Sequence, residues 1–409
     1  MLSLGKEIMI FDGGMGSELV KAGVSYNVPE DLNITHPEVI KGIHQSYADA
    51  GSDFITTNTF GLNRIKYKGQ YDIAFVAEKA IENARSTNKK VFFDIGPTGA
   101  LLKPLGTLSF DDAYQAYKEV VIASSEKVDG YIVETFSDLY ELKTAVLAIK
   151  ENSDKPIFAT MTFDKSGRTL TGTTPEIMVA FLEGCGVNAL GVNCSLGPDE
   201  LYPVIKRIID CASVPVIIQP NRGLPKFENG RSYYDLTVEE FTESVKKYTE
   251  MGVSIIGGCC VTDPDFISSI SAFKGRAVIK NNVPIKNVIA SYSKCVDLDD
   301  GIEISDCTVD DAIEDGEYDD LAFECMDLVD DGADAVKVIV TADDCETASK
   351  LIAKIQEYSN VPIIVSASAD ACEKAARCYN GILGVYTEIC GLEAAKSIQQ
   401  KYGATIINN

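Results

Sequence analysis

Cys259 and Cys260 stand side by side at the end of "IIGGCC" (residues 255–260), and a third thiol, Cys194, closes "ALGVNC" (189–194). Three thiolates leave one position of a tetrahedron open, which is the arrangement of a catalytic zinc; structural zinc sites fill all four positions with protein ligands. Zn–S bonds of about 2.3 Å would set the sulfurs roughly 3.8 Å apart. Neighbouring side chains of a regular strand point to opposite faces, so an adjacent pair cannot share a metal there. The chain must therefore bend after residue 256, and Gly257 and Gly258 offer the backbone freedom to do so. The competing reading is that these thiols are small buried apolar residues, as most free cysteines are. That reading is adopted for Cys185, Cys211 and the cysteines beyond Cys260, Cys372 and Cys390 among them.

The elements around these thiols decide whether they can meet. Short apolar runs recur at Ile8–Phe11, Phe54–Thr57, Val91–Phe93, Gly130–Val133, Ile157–Met161, Ala189–Val192, Val216–Ile218 and Ser254–Ile256. Between them lie segments of helical spacing, such as "HPEVIKGIHQSYADAG" and "SDLYELKTAVLAIKEN". Continuous apolar strands alternating with helices imply a parallel sheet covered on its outer face. Eight such strands fit a closed (β/α)8 TIM barrel better than an open doubly wound sheet. A dinucleotide fingerprint is absent, because "DGGMGSEL" lacks the G-x-G-x-x-G spacing.

The runs lead into Asp12, Asn58, Asp94 and Glu134, then into Asn193–Cys194 after the sixth, Gln219 and Asn221 after the seventh, and Cys259–Cys260 after the eighth. In a barrel these ends converge on the face that carries the chemistry. Cys194 is thereby expected to meet Cys259 and Cys260. By themselves, Asp12 reads equally as a helix N-cap and Glu134 as an outer salt-bridge partner. His36 and His44, the two histidines, follow no strand and read as structural or exposed.

Composition bounds the rest. With 409 residues, 45% of them hydrophobic, the chain is globular and longer than one average domain. No apolar run reaches the roughly 18 residues of a membrane span, and "MLSLGKEIMIFDGG" lacks the features of a secretion signal. Twelve scattered cysteines then point to a reducing cytoplasm. A formal charge of −24 repels nucleic acid and anionic lipid, so neither nucleic acid nor membrane is expected as a partner.

"FDGGMGSEL", "TTNTFGLNRIK", "DIGPTG", "VETFSDLYELKTAV", "MTFDKSGRTLTGT", "GVNCSLGP", "QPNRGLP" and "GGCCVTDPDFI" together resemble the homocysteine-binding barrel of the zinc-dependent homocysteine S-methyltransferases. The resemblance spans residues 1–275 and is nearest to the N-terminal module of cobalamin-dependent methionine synthase. It implies that Cys194, Cys259 and Cys260 hold one Zn2+ and that the sulfur of homocysteine takes the fourth position. A free thiol near pKa 8.5 is mostly protonated at neutral pH, and metal coordination makes the nucleophilic thiolate available. Backbone N–H groups around Asp12, Gly13 and Gly14 would receive the substrate carboxylate. Glu134 and Asp12 would receive its ammonium, and Asn193 would orient the substrate or the metal cysteines.

Beyond Phe273 the chain turns acidic, with twelve Asp or Glu and no Lys or Arg between Asp297 and Asp320. Residues 276–320 read as an acidic linker. Residues 321–409 read as a smaller partial α/β domain, with "ADAVKVIV", "VPIIVSAS", "NGILGVYTE" and "GATIIN" as strands. Through "MDLVDDGADAVKV" and "EAAKSIQQKYGATII" this portion resembles the first half of the pterin-binding barrel that follows in cobalamin-dependent methionine synthase. It departs from that pattern: only four or five strands are expected, and "EISDCTVDDAIEDGEYDD" replaces the Arg- and Asn-bearing loop of the pterin site. Folate binding is not expected on that ground. Bound cobalamin is not expected either, since neither histidine sits in a D-x-H-x-x-G motif. The open edge of a half-barrel would pack on the first barrel or on a second copy in a homodimer.

The expected function is methionine formation from homocysteine, with methyl delivered by a separate methyl-corrinoid protein or methylcobalamin. A small sulfonium or ammonium donor is the alternative within the same chemistry. A non-catalytic, zinc-holding partner module is the alternative of another class, and the joint presence of Asp12, Glu134 and Asn193 argues against it.

Overall fold

The structure is a computed structural model that describes residues 4–228, 231–279, 287–309, 317–341 and 345–408. Each apolar run forms a strand: β1 (Met9–Ile10), β2 (Phe54–Thr56), β3 (Lys90–Ile95), β4 (Gly130–Phe136), β5 (Ile157–Met161), β6 (Ala189–Asn193), β7 (Val216–Gln219) and β8 (Ile255–Ile256). They pair in parallel in the order β1-β8-β7-β6-β5-β4-β3-β2. Helices α1 (Pro37–Asp49), α2 (Ile73–Arg85), α3 (Phe110–Ser124), α4 (Leu139–Asn152), α5 (Pro175–Gly184), α6 (Pro198–Cys211), α7 (Val238–Met251) and α8 (Pro264–Ile270) follow the successive strands. This is the expected (β/α)8 barrel, nearly closed.

The seam between β1 and β2 shows how closure is reached with so short a first strand. One main-chain bond crosses it, from Asp53 N–H to the Ile10 carbonyl at 2.7 Å. Two carboxylates supply the rest: Asp53 accepts from Ile10 N–H at 2.9 Å, and Asp12 accepts from Thr56 N–H at 2.7 Å. Aspartate side chains thus satisfy donors that a longer strand pair would have satisfied with carbonyls.

Inside, every strand or its end gives one residue to a plug of Phe11, Phe54, Phe92, Ile132, Phe158, Ala189, Ile217 and Ile255, all fully or almost fully buried. The four rings contact one another, with centroids 4.8 Å apart for Phe11–Phe54 and 4.6 Å for Phe92–Phe158. Bulky rings on one side and Ala189 on the other fill the bore without strain. The plug closes the barrel below the mouth, so solvent meets the strand ends from one side only.

A second sheet carries β11 (Ile304–Val309), β12 (Ala335–Val340), β13 (Ile363–Ser366), β15 (Gly384–Tyr386) and β16 (Thr405–Ile407), parallel and in that spatial order. Helices α9 (Glu317–Asp330), α10 (Thr347–Tyr358), α11 (Ala369–Cys378) and α12 (Leu392–Tyr402) alternate with these strands. A small antiparallel sheet joins β9 (Val288–Ser291) to β10 (Cys295–Asp297) and to β14 (Gly381–Ile382). The stretch 276–320, expected as a linker, therefore carries β9, β10 and β11, and the second unit begins before residue 321; residues 280–286 and 310–316 lie outside those described. Acidity does not prevent pairing here because it alternates. Along β11, Asp306 and Thr308 are exposed while Cys307 and Val309 are buried.

The second unit packs on α4, and this explains a barrel helix buried on every side from Leu139 to Ile149. Lys143 in its middle is 1% exposed, yet its ammonium donates to the carbonyls of Ala376 and Tyr379, each at 2.6 Å. Those carbonyls end α11, where a cation is favoured. Tyr140 Oη donates to the Cys378 carbonyl at 2.6 Å, and Arg377 pairs with Glu151 at 2.9 Å. Among the described residues no helix is long and apolar enough to cross a membrane.

Candidate active site

The three thiols meet. The sulfurs of Cys194, Cys259 and Cys260 all lie within 4.8 Å of one another, and Cys194 Sγ is 3.7 Å from Cys260 Sγ. That spacing matches the roughly 3.8 Å edge of a zinc–thiolate tetrahedron. Cys194 and Cys259 are half-buried and Cys260 is exposed, so the cluster is open to solvent on one side.

Local backbone explains the convergence. Cys194 and Ser195 both have φ 61°, a left-handed turn that breaks β6 and brings the thiol over the mouth. Cys194 N–H still donates to the Gln219 carbonyl, at 3.0 Å. After β8 the left-handed residue is Val261, with φ 66°, rather than either glycine. Gly257 and Gly258 serve close approach instead. A Cβ on Gly258 would lie 2.1 Å from Thr262 Oγ1, and one on Gly257 would lie 2.7 Å from Phe11 Cβ. The bend is then pinned: Thr262 Oγ1 donates to the Cys259 carbonyl at 2.7 Å, and Cys260 N–H donates to Asn221 Oδ1 at 3.0 Å.

Their electrostatics show what the thiols require. S–H donors from Cys259 and Cys260 hold Cys194 low, at about 3, while Cys260 is pushed up to about 11 and Cys259 well above the usual thiol range. The protein's own groups therefore accommodate one negative charge among three sulfurs. Three thiolates need a dication, and the softness and number of the donors suit zinc.

Asn193 is fully buried and uses its whole hydrogen-bonding capacity. Its Oδ1 accepts from Thr135 N–H at 2.9 Å and Thr160 Oγ1 at 2.8 Å; its Nδ2 donates to Thr135 Oγ1 at 2.7 Å and Cys259 Sγ at 3.8 Å. Its donors and acceptor are thus all engaged within the protein, one of them on the Cys259 thiol.

Glu134 sits on a bulge in β4, where Val133 pairs with Ala159 and Phe136 with Met161, so one extra residue intervenes. Burial, then the charges of Asp12 and Cys194, push its carboxyl up to about 8. Asp12 is buried and pushed up to about 7, also chiefly by burial, although Thr56 N–H and Thr56 Oγ1 each donate to it at 2.7 Å. Its firmest contacts are those of the barrel seam. Gly13 and Gly14 pack against the 259–262 turn, where a Cβ on Gly14 would stand 2.6 Å from the Cys259 carbonyl oxygen. The Gly14 N–H, expected to meet a substrate carboxylate, donates instead to the Thr262 carbonyl at 3.0 Å.

Two further groups belong to this mouth. Asp94 is buried with Oδ1 unpartnered, and burial followed by repulsion from Glu134 raises its pKa well above the carboxylate range. Gln219 Oε1 is likewise buried without a partner. Both stand at strand ends in the sequence, but only the fold shows that they are unsatisfied. Asn58 turns away, donating to the Pro29 carbonyl at 2.8 Å. His44 is buried in α1 and His36 is exposed. Of the cysteines expected to be buried, Cys185, Cys307, Cys325 and Cys372 are, Cys211, Cys345, Cys378 and Cys390 are half-buried, and Cys295 is exposed at the start of β10.

The homocysteine S-methyltransferase profile matches residues 9–273, the whole barrel from β1 past α8. The chain belongs to the homocysteine S-methyltransferase family. Members of this family methylate homocysteine, and the three-cysteine mouth lies wholly within the matched region. The chain is 32% identical over 301 residues to the methionine synthase of Mycobacterium leprae, covering 67% of this chain and 25% of that protein. The Mycobacterium tuberculosis methionine synthase is 32% identical over 296 residues, covering 66% and 25%. The match thus spans about a quarter of the length of those relatives. Among solved structures, the metallated form of the homocysteine methyltransferase MmuM from Escherichia coli aligns over 65% of this chain and 96% of its own, with a TM-score of 0.57 at 20% identity; this is a likeness of fold.

Proposed function

We propose that this chain is a zinc-dependent homocysteine S-methyltransferase that forms methionine, with the methyl group carried to it by a separate methyl-corrinoid protein. The observation that carries the reading is the set of three sulfurs within 4.8 Å at the rim of a barrel mouth rich in unsatisfied acceptors. Cys194, Cys259 and Cys260 would hold the zinc, which when bound supplies the substrate sulfur in its thiolate form at neutral pH.

The chain's own groups do the rest. Asp94 Oδ1, raised by burial and by Glu134, and Glu134, raised by burial and by Asp12 and Cys194, gain most from a cation between them and would take the substrate ammonium. Asp12 adds negative charge from the seam. Held this way, the sulfur of homocysteine attacks the methyl carbon, and the donor keeps the electron pair of the broken bond. The exposed position of Cys260 supports a bulky donor, because the open side of the cluster faces solvent. Free thiolates in such a site also suit a reducing cytoplasm.

The test uses anaerobically purified, zinc-assayed protein with homocysteine and methylcobalamin, beside a Cys259→Ser control. Methionine formed by the wild type alone is the expected result. One zinc per chain without methionine would move the donor to a small sulfonium or ammonium compound, or to a corrinoid used only on its own protein. Absence of zinc would refute the reading.

A further inference from the structure

We infer that Asn193 mechanically couples the two halves of the site, so that recognition of the substrate ammonium and the setting of the metal cysteines depend on one another through a clamp made by Thr135, Asn193 and Thr160. This rests on the proposed function and deepens it.

The clamp starts from an outlier. Thr135 has φ 65°, a left-handed conformation that a β-branched residue adopts only under constraint. It is the extra residue beside Glu134 in the β4 bulge, so its conformation decides where the Glu134 carboxyl points. Nothing in the local sequence favours that backbone, and two bonds from Asn193 hold it: the Thr135 N–H and Oγ1 are both satisfied by the same carboxamide, at 2.9 and 2.7 Å. The plane of that carboxamide is fixed in turn by Thr160 Oγ1, at 2.8 Å and fully buried on β5. The remaining Nδ2 hydrogen points at Cys259 Sγ, 3.8 Å away.

A planar amide cannot tilt toward one partner without leaving another. Relaxing the bulge therefore turns Nδ2 away from Cys259, and drawing Cys259 aside loosens Thr135. Glu134 lies on β4 and Cys259 follows β8, so one carboxamide ties together two elements far apart in sequence. Asn193 and Thr160 touch neither substrate nor reacting atoms; they are positioning residues. The consequence is that an amino thiol and a thiol without an amine should set the metal site differently, which an independent pair of subsites would not do.

The experiment reads thiol binding without any methyl donor. Protein loaded with Co(II) in place of zinc is titrated with homocysteine and with 4-mercaptobutyrate, its analogue without the amine, and the ligand-to-metal absorption gives both affinities. Zinc affinity is measured separately by chelator competition. In Thr160→Val, the preference for homocysteine over the analogue should shrink about fivefold or more, the lower end of an ordinary coupling between sites. Zinc affinity should fall in the same variant, and Thr160→Ser should restore both. Thr135→Gly, which accepts φ 65° but lacks Oγ1, provides a second route to the same two losses should Thr160→Val fail to fold. A wild-type preference that persists unchanged in these variants, with only thermal stability reduced, would overturn the clamp and leave the proposed function standing. A wild type that shows no preference between the two thiols would overturn the ammonium reading and the clamp with it.

Discussion

Replacing Glu134 by Gln tests whether the raised carboxyls exist to receive an amine. The substitution keeps size and shape and removes one potential negative charge. A hydrogen bond between ionised partners contributes about 1.5–3 kcal/mol, and each 1.4 kcal/mol is a factor of ten. Homocysteine affinity should therefore drop roughly 10- to 150-fold, whereas 4-mercaptobutyrate should bind variant and wild type alike. The pH dependence has a definite sign. Burial holds Glu134 at about 8, so below that pH the free protein carries a neutral carboxyl that must ionise to pair with the ammonium. The preference for homocysteine over the analogue should thus rise from pH 7 to pH 8 in the wild type, below the titration of the substrate ammonium, and rise less steeply in Glu134→Gln, where Asp12 and Asp94 still titrate. Taking the ratio of two thiols cancels the titration of the metal-bound sulfur, which both share. Equal losses for both thiols, or a wild-type preference independent of pH, would refute the assignment.

Two further outcomes concern the scaffold. His44 is fully buried with neither ring nitrogen bonded, and burial lowers it from 6.5 to about 4. The unfolded chain then binds a proton that the folded chain refuses, so stability should decline as pH falls from 6.5 towards 4, by about 3 kcal/mol at 1.36 kcal/mol per unit. Denaturant titrations at pH 7 and pH 4.5 should show His44→Leu losing about 2–3 kcal/mol less than the wild type over this interval; parallel losses would contradict it. Lys143→Met leaves the Ala376 and Tyr379 carbonyls buried without their donor, which should cost about 2–4 kcal/mol in unfolding free energy at about 1–3 kcal/mol for each unsatisfied acceptor. A loss below about 1 kcal/mol would mean that water or a neighbouring donor replaces the ammonium.

The barrel and the meeting of the three thiols were legible in the sequence because both depend on periodic or discrete signals. Eight apolar runs at α/β spacing leave few topologies open, and once the ends converge, Cys194 and Cys259–Cys260 have nowhere else to be. What it hid depends on long-range partners. The Asp12 carboxylate closes the β1–β2 seam only because Thr56 lies across it, 44 residues away. Asp94 and Gln219 are ordinary strand-end residues until the fold shows that their oxygens lack partners. The Thr135 bulge has no glycine or asparagine to announce it; a carboxamide 58 residues away imposes it. The acidic stretch after residue 276 misled for the opposite reason, since net charge dominated an alternation of Cys307 and Val309 against Asp306 and Thr308 too short to register as a strand.

The most direct measurement is zinc K-edge absorption on the purified chain, with and without homocysteine. The account expects one zinc per chain with three sulfur neighbours near 2.3 Å, and a fourth sulfur when homocysteine is added. Zinc bound mainly by nitrogen or oxygen, or a sulfur count that stays at three with saturating homocysteine, would contradict the claim that these cysteines hold the metal so that it can bind the substrate.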